Sequence, residues 1–445
     1  MRSRSFFILL IGLVLFSLSA HGQSRDVTTA DRIAMLYAPQ LNFTRDGDPQ
    51  IRLGLMEDRE SMRFTPSEAV RVMPQGEGGP EIRLPGGVAY TVKMTDSRAG
   101  EYKHWVVVDR LAMAQRARGA EVTNQWTQRG FIPQTFEVGG LFAVHGQVFD
   151  SRVVLVCVGG TATLAEAQRI RTQLEARFGI AGSIHSERLK FPSGMLTLTG
   201  AGQEISIQHR DVMWVGPLPG REENIAYTIP GIKKSYDAGE ETRRYTGTLI
   251  FAPDRTGKIA VINSLGAEKI LKGVVPAEIY ASAPAGALQA QAIAARNEML
   301  AAIGVRNLAD PFMLRSDVMD QVYAGIDAED PRTSKAVDAT RGEVMLYGNQ
   351  IVNAVYSSNA AGFTENNENV WDGEPRPHLR GRPDAPDDKV PARFKKGITE
   401  ANLQAFLDSD FPAHSKTAPV SSAQLYRWTR SVEAKTPQAW LKEAG

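Results

Sequence analysis

Glu268-Lys-Ile-Leu-Lys-Gly-Val-Val-Pro-Ala-Glu-Ile279 is the stretch on which the reading of this chain turns. Glu278 stands near its end among Val274, Val275, Pro276, Ala277 and Ile279. No lysine or arginine lies within five positions on either side, and the first upstream is Lys272. A carboxyl in such surroundings is desolvated, which raises its pKa and keeps it protonated near neutral pH. The stretch follows a β-rich segment and leads towards a helix. Two readings of Glu278 are therefore open. It is a proton donor, or it is a glutamate in the first turn of a helix, favoured there by the helix dipole.

Immediately upstream, Thr248-Leu-Ile-Phe251 and Lys258-Ile-Ala-Val-Ile262 flank Pro253-Asp-Arg-Thr-Gly257, the pattern of a β-hairpin. Downstream, Pro284 and Gly304 bracket an Ala-rich helix over 285–303 that carries Arg296. Beyond it come Gln321-Val-Tyr-Ala-Gly325, Ala336-Val-Asp-Ala-Thr-Arg-Gly-Glu-Val344 and Val355-Tyr-Ser-Ser-Asn-Ala-Ala-Gly-Phe-Thr-Glu-Asn366, then Val370-Trp371 and Tyr426-Arg-Trp428. The small residues of 357–366 leave the backbone open to close approach.

In order and spacing, residues 245–430 resemble the stage II sporulation protein D/LytB family of peptidoglycan lytic transglycosylases. The resemblance rests on Val274-Val-Pro-Ala-Glu278 and on Ser358 to Glu365. It implies that Glu278 is the catalytic acid/base. It also implies that Arg296 points back to the cleft and orients Glu278 or substrate. Ser358, Asn359, Gly362, Thr364 and Glu365 are then the sugar-binding loop, with Tyr323 and Trp371 stacking on sugar faces. The implied reaction cleaves the bond between N-acetylmuramic acid and N-acetylglucosamine in peptide-free glycan and leaves 1,6-anhydro ends. One carboxyl serves in both halves of that reaction, whereas a hydrolase needs a second carboxylate, for which Glu365 is the only candidate borne on a motif. The alternative is a non-catalytic glycan-binding protein or an enhancer of a cell-wall amidase. Three departures bear on the choice. Phe363 stands where the family often has His, and Ala360 and Ala361 replace residues that are often Cys or Gly. Ser316-Asp-Val-Met-Asp320 lacks the Cys and His that bind zinc in some members. No metal and no cofactor are expected, although Asp317 and Asp320 leave an all-oxygen site conceivable. The match fades after Trp428.

The N-terminal half reads differently. Arg2 and Arg4 precede an apolar run from Phe6 to Leu18, followed by small residues at Ser19, Ala20 and Gly22. This reads as a secretory signal peptide over 1–22, the alternative being an uncleaved membrane anchor. The run is shorter than the ~20 residues that span a bilayer, so no stable membrane span is expected after cleavage. A short helix is expected over 26–37. Ile51 to Leu55, Ala69 to Met73 and Tyr90 to Met94 are strand signals of a β region over 40–100, with turns at Gly76 to Gly79 and Gly86-Gly87. Residues 102–190 read as strand, helix, strand, repeated: Trp105 to Val108, a helix from Leu111 to Gly130, Thr135 to Val138, Leu141 to Val144, Val153 to Val158, a helix from Thr163 to Phe178, and Ser183 to Ser186. Such a unit folds as one antiparallel sheet with two helices on one face. It resembles the SPOR domain, which implies binding to glycan strands stripped of stem peptides. Residues 191–245 read as a linker with return strands, loop-rich from 216, and 246–445 as the catalytic domain.

The fold class expected is α+β, with a SPOR-like domain inserted into a mixed β/helix scaffold. Lys and Arg total 51 against 50 Asp and Glu, so nothing points to nucleic acid. The single cysteine, Cys157, allows no internal disulfide and reads as a buried strand residue. The partners implied are peptidoglycan glycan strands and cell-wall amidases, in the periplasm or cell wall.

Overall fold

The hairpin anchors the architecture. Thr248–Pro253 and Ile259–Gly266 pair antiparallel from Thr248↔Ser264 to Pro253↔Ile259. Asp254 closes the turn by accepting the backbone N–H groups of Thr256 and Lys258 on Oδ1. Ile259, Ala260, Val261 and Ile262 are all fully buried, because the strand they form is covered on both faces. That explains an apolar run with no polar alternation.

The computed structural model describes residues 29–418, 426–429 and 431–433, apart from 77–78, 145–146, 181, 223–224, 236–237 and 372–374. The expected signal peptide and part of the Gly76–Gly79 turn lie outside the described residues. The fold is α+β. One sheet runs in the order Asn42–Phe43, Pro49–Arg59, Ile259–Gly266, Thr248–Pro253, Met213–Pro217, Val70–Met73 and Ile82–Leu84, with Leu314–Arg315 added parallel to Pro49–Arg59. A six-stranded sheet follows the order Ser206–Arg210, Ser193–Gly200, Tyr90–Arg98, Ser61–Pro66, Tyr227–Lys233 and Glu240–Tyr245. One core joins the two sheets and three helices, and includes Ile51, Phe64, Leu198, Tyr227, Val261, Ile270, Ala295 and Val337. On the far side of the first sheet, helix α1 (Thr29–Leu36) packs Ile33 and Leu36 near Ile250, Ile262 and Phe312.

The stretch 216–245 is not a plain linker. Ile225, Tyr227, Ile229, Ile232 and Tyr245 are buried in the main core. Gly231, at a left-handed φ of 76°, sits at the bulge between Ile229 and Ile232 and shifts the alternation by one. That shift, with Pro230 and Lys233 around it, hides the strand period in the sequence.

Residues 101–190 leave the six-stranded sheet at Arg98 and return at Ser193, two residues that are cross-strand partners. The inserted segment forms a four-stranded antiparallel sheet in the order Ile184–Lys190, Glu101–Ala112, Val153–Thr161, Gln134–Val138. Helices α2 (Arg118–Gln128) and α3 (Leu164–Phe178) cover one face, packing Trp126 and Leu174 with Val106, Val156 and Val158. Thr163 caps α3 through the N–H of Glu166, and Gly179 ends it in the left-handed conformation. The helix expected from Leu111 begins later. Leu111 is paired with Val154 in the sheet and the strand runs on to Ala112, because sheet pairing captures this apolar residue before helix periodicity can. An extra hairpin, Leu141–Val144 with Gln147–Asp150, reaches from the insertion to the main core, where Phe142 is buried.

Trp126 meets Phe131 and Phe178 edge-on, each with ring centroids 5.4 Å away. Trp126→Ala is expected to cost about 3–5 kcal/mol within this insertion. Hydrogen exchange should show amides of 101–190 losing protection while the 248–266 hairpin keeps it.

Candidate active site

Glu278 closes a helix rather than opening one. Helix α4 (Ala267–Glu278) starts after Gly266, buries Ile270, Leu271, Val274 and Val275, and ends where Ile279 turns extended. Pro276 removes one N–H from the last turn. Glu278 therefore lies at the negative end of the helix dipole, which disfavours its charged form. Its carboxyl is half-buried, and burial raises its pKa. Hydrogen bonds from the Val322 N–H and the Tyr356 hydroxyl oppose that rise without cancelling it. The first-turn reading is thus corrected: Glu278 ends its helix, and its pKa is raised.

Two scaffolds place those donors. The first is Tyr323, next to Val322. Its ring is fully buried, against the expectation that it stacks on sugar. It lies under α4 at Gly273, where a Cβ would come within 2.6 Å of the ring. Tyr245 flanks it at 5.7 Å, and Arg243 donates to its carbonyl at 3.0 Å. Tyr323 is a wedge that fixes the Val322 N–H, and its glycine partner, five residues before Glu278 on the same helix, is part of the fit.

The second scaffold belongs to helix α5 (Ala285–Ala302). Arg296 is buried and does not reach Glu278. It donates through Nε and Nη2 to the two carboxylate oxygens of Glu268 at 2.7 Å each, and through Nη1 to the Glu343 carbonyl at 3.1 Å. Glu268 also accepts the Gly342 N–H, and its own N–H donates to Asp48. Beside it, Asn297 donates to the carbonyls of Met345 and Val352 and accepts the Met345 N–H at 2.8 Å. Arg296 and Asn297 together clamp residues 342–352, the segment that leads to Tyr356. Neither Asn297 nor Tyr356 was singled out in the sequence reading. Their signal was adjacency: Asn297 follows Arg296, and Tyr356 precedes the Ser357–Asn366 loop.

The loop divides. Tyr356, Ser358 and Trp371 are exposed. Asn359 accepts the Ala361 N–H and donates to the Ser415 carbonyl, tying the loop to a C-terminal cluster of Phe394, Phe406, Phe411, Ala413 and Tyr426. Gly362 is buried at φ 96°, beneath Tyr426 and Phe411. Phe363 packs into the same cluster, so its departure from the family pattern serves local packing. Thr364 exchanges hydrogen bonds with the backbone of Arg382. Glu365 is exposed and accepts from Asn369 and the Asn366 N–H. Asp320 is used up by Arg306, Asn307 and the Arg315 N–H, which removes it from any all-oxygen metal site. Among the described residues no group of three His, Cys, Asp or Glu side chains is placed to hold a metal ion.

Residues 255–347, which include α4, Glu278 and α5, match the family model described as Stage II sporulation protein, SpoIID. This segment belongs to the SpoIID/LytB family. Three curated relatives align with the chain. An uncharacterized protein of Brachyspira hyodysenteriae is 35% identical over 31% of this chain and 37% of its own length. The amidase enhancer of Bacillus subtilis is 34% identical over 27% of this chain and 16% of its own. Stage II sporulation protein D of Bacillus subtilis is 27% identical over 33% of this chain and 47% of its own. The chain thus spans less than half the length of each of these relatives. No solved structure matches it. The SpoIID-like segment places a cell-wall-related family module on the C-terminal half of the scaffold.

Removing one partner of a buried ion pair strands the other, so Arg296→Ala should cost about 3–5 kcal/mol in chemical denaturation. Glu278 should do the opposite. Its folded pKa is raised, so the folded state holds the proton more tightly than the unfolded state. That penalty is absent below the unfolded pKa and grows as pH rises through the folded one. Glu278→Gln should therefore raise the melting temperature at pH 7, and the gain should vanish when melts are repeated near pH 4.

Proposed function

We propose that the chain is an exported lytic transglycosylase that cleaves the N-acetylmuramic acid–N-acetylglucosamine bond of peptide-free peptidoglycan. The observation that carries this reading is the raised pKa of a half-buried carboxyl at a helix C-terminus, on the family motif. Glu278 gives its proton to the bridging oxygen as the bond from the anomeric carbon breaks. The carboxylate that results takes the proton of the sugar's own 6-hydroxyl, and that oxygen bonds to the anomeric carbon. Glu278 ends protonated again, and no water is consumed. The Val322 N–H and the Tyr356 hydroxyl support the carboxylate between the two transfers, holding its pKa below what burial alone would give.

In this reading Ser358, Thr364, Glu365 and Trp371 are the exposed members of the sugar-binding set, while Asn359 and Gly362 shape the loop from behind. The inserted domain acts as a SPOR-like glycan binder that raises the local concentration of substrate. Export by the N-terminal signal places the protein in the periplasm or cell wall. A second reading has a specific observation behind it, the match to a protein named amidase enhancer. There the cleft holds glycan and a separate amidase does the cutting.

Incubation of the mature chain with peptide-free sacculi separates the two. The transglycosylase reading expects anhydro-muramyl products by mass spectrometry, falling at least about 100-fold in Glu278→Gln. Equal background from both proteins, with glycan binding intact, leaves the enhancer reading. The pH profile gives a finer check. The first step needs protonated Glu278, so turnover should fall as pH rises through its raised pKa. Tyr356→Phe removes a hydrogen bond that favours the charged form, so the descending limb should move to higher pH.

A further inference from the structure

The segment that leads to Tyr356 contains a hairpin too small to hold itself. Leu346–Tyr347 and Gln350–Ile351 make two cross-strand pairs, Leu346↔Ile351 and Tyr347↔Gln350. Leu346 and Tyr347 are 42% and 50% exposed, so the hairpin buries little of its own surface. An isolated two-stranded hairpin is marginal even when longer, so this one takes its position from its neighbours. On one side the neighbour is α5, where Asn297 holds Met345 and Val352, the residues that flank the hairpin. On another side it is the inserted domain. The Asp150 N–H donates to the Asn349 carbonyl at 3.4 Å. The strand Gln147–Asp150 lies against Gln350–Ile351.

That strand belongs to a side excursion of the inserted domain. Gly140 and Ser151 close its base. The Ser151 N–H donates to the Gly140 carbonyl and the Gly140 N–H to the Ser151 hydroxyl, each at 3.0 Å. Directly behind the base, Val138 and Val153 are already paired in the four-stranded sheet, so the sheet closes without residues 141–150. What the excursion does is reach the scaffold. Its cross-strand partners Phe142 and Phe149 are both buried, Phe142 in the main core. Gly139 lies against Gly304 just past α5, where a Cβ on Gly304 would come within 3.3 Å of the Gly139 backbone. Asp150 is fixed in turn by Arg152, which donates to both its carboxylate oxygens at 2.9 Å. The excursion thus extends from the end of α5 to the turn at Asn349.

We propose that the inserted domain is a positioning element of the active site: its Leu141–Asp150 hairpin braces the 346–351 hairpin against α5 and so holds the Tyr356 hydroxyl on Glu278. Asp150 and Asn349 are positioning residues and act through Tyr356, which follows four residues after the clamped Val352. The effect on turnover rests on the transglycosylase reading above. The effect on the protonation of Glu278 does not.

The test replaces residues 141–150 by two glycines in the full mature chain. The Tyr356 hydroxyl favours the charged carboxyl, so loosening it should make Glu278 titrate about half a pH unit higher. The signal followed is the carbon-13 resonance of the Glu278 carboxyl in glutamate-labelled protein, assigned by its absence from Glu278→Gln. Tyr356→Phe alone should give at least this shift, and excision in the Tyr356→Phe background should add nothing. Excision also takes Phe142 out of the core, so melting falls whatever the brace does, and the dependence on Tyr356 carries the test. Where the excised chain does not fold, Asp150→Pro decides. It removes the N–H given to Asn349, whereas Asp150→Ala keeps that N–H and loses the Arg152 pair. Asp150→Pro should move the titration upward and Asp150→Ala should not. A titration unmoved by excision, or in its place by Asp150→Pro, overturns the brace. So does an equal shift with and without the Tyr356 hydroxyl. An upward shift in a chain that forms no anhydro product keeps the brace and removes the transglycosylase reading. Anhydro product with an unmoved titration does the reverse.

Discussion

The buried pair between Arg296 and Glu268 is the constraint on which the rest of the C-terminal half depends. Taking both charges out of water costs several kcal/mol per ion, and the bidentate geometry offsets this only while every donor and acceptor is used. Here each of the three guanidinium nitrogens donates: Nε and Nη2 to the Glu268 carboxylate, which also accepts the Gly342 N–H, and Nη1 to the Glu343 carbonyl. The pair sets helix α4 against helix α5 and hooks the following chain onto both. A hydrophobic contact of equal area would tolerate sliding, and this arrangement does not.

Glu278 inherits its position from that registration. It lies ten residues beyond Glu268 on the same helix, about 15 Å along the axis. At that distance, with an effective dielectric of about 20, a guanidinium contributes about 1 kcal/mol, and less where water intervenes. Burial and the helix C-terminus therefore decide its protonation, and the nearby hydrogen bonds trim the result. One helix holds a buried, bidentate Glu268–Arg296 pair at its start and a carboxyl with a raised pKa at its end. The two opposite electrostatic regimes are separated by buried aliphatic turns.

The inserted domain is bound to this scaffold through specific contacts. Tyr102 donates to the Ala309 carbonyl, Arg188 to that of Leu308, and Phe142 enters the main core. Such ties hold it against the 308–309 segment and the main core and leave less freedom than a flexible tether would.

Much was legible along the chain. Local patterns determined the 248–266 hairpin, the span of α5 between Pro284 and Gly304, the capped helix after Thr163 and the α+β class, because turn chemistry, capping and periodicity act over a few residues. The motif around Val274 to Glu278 marked the candidate acid. What the sequence could not hold was anything fixed by partners distant in the chain. Arg296 looked like a cleft residue and turned out to be a buried tie, since its partner lies 28 positions away. Tyr323 looked like a sugar platform and proved to be a wedge under Gly273. The Tyr356 contact depends on a clamp from α5, and Gly231 hides a strand by shifting its alternation. Tertiary structure decided these because burial and hydrogen-bond satisfaction are properties of the packed whole, and the same residue types satisfy them in a core as readily as in a cleft.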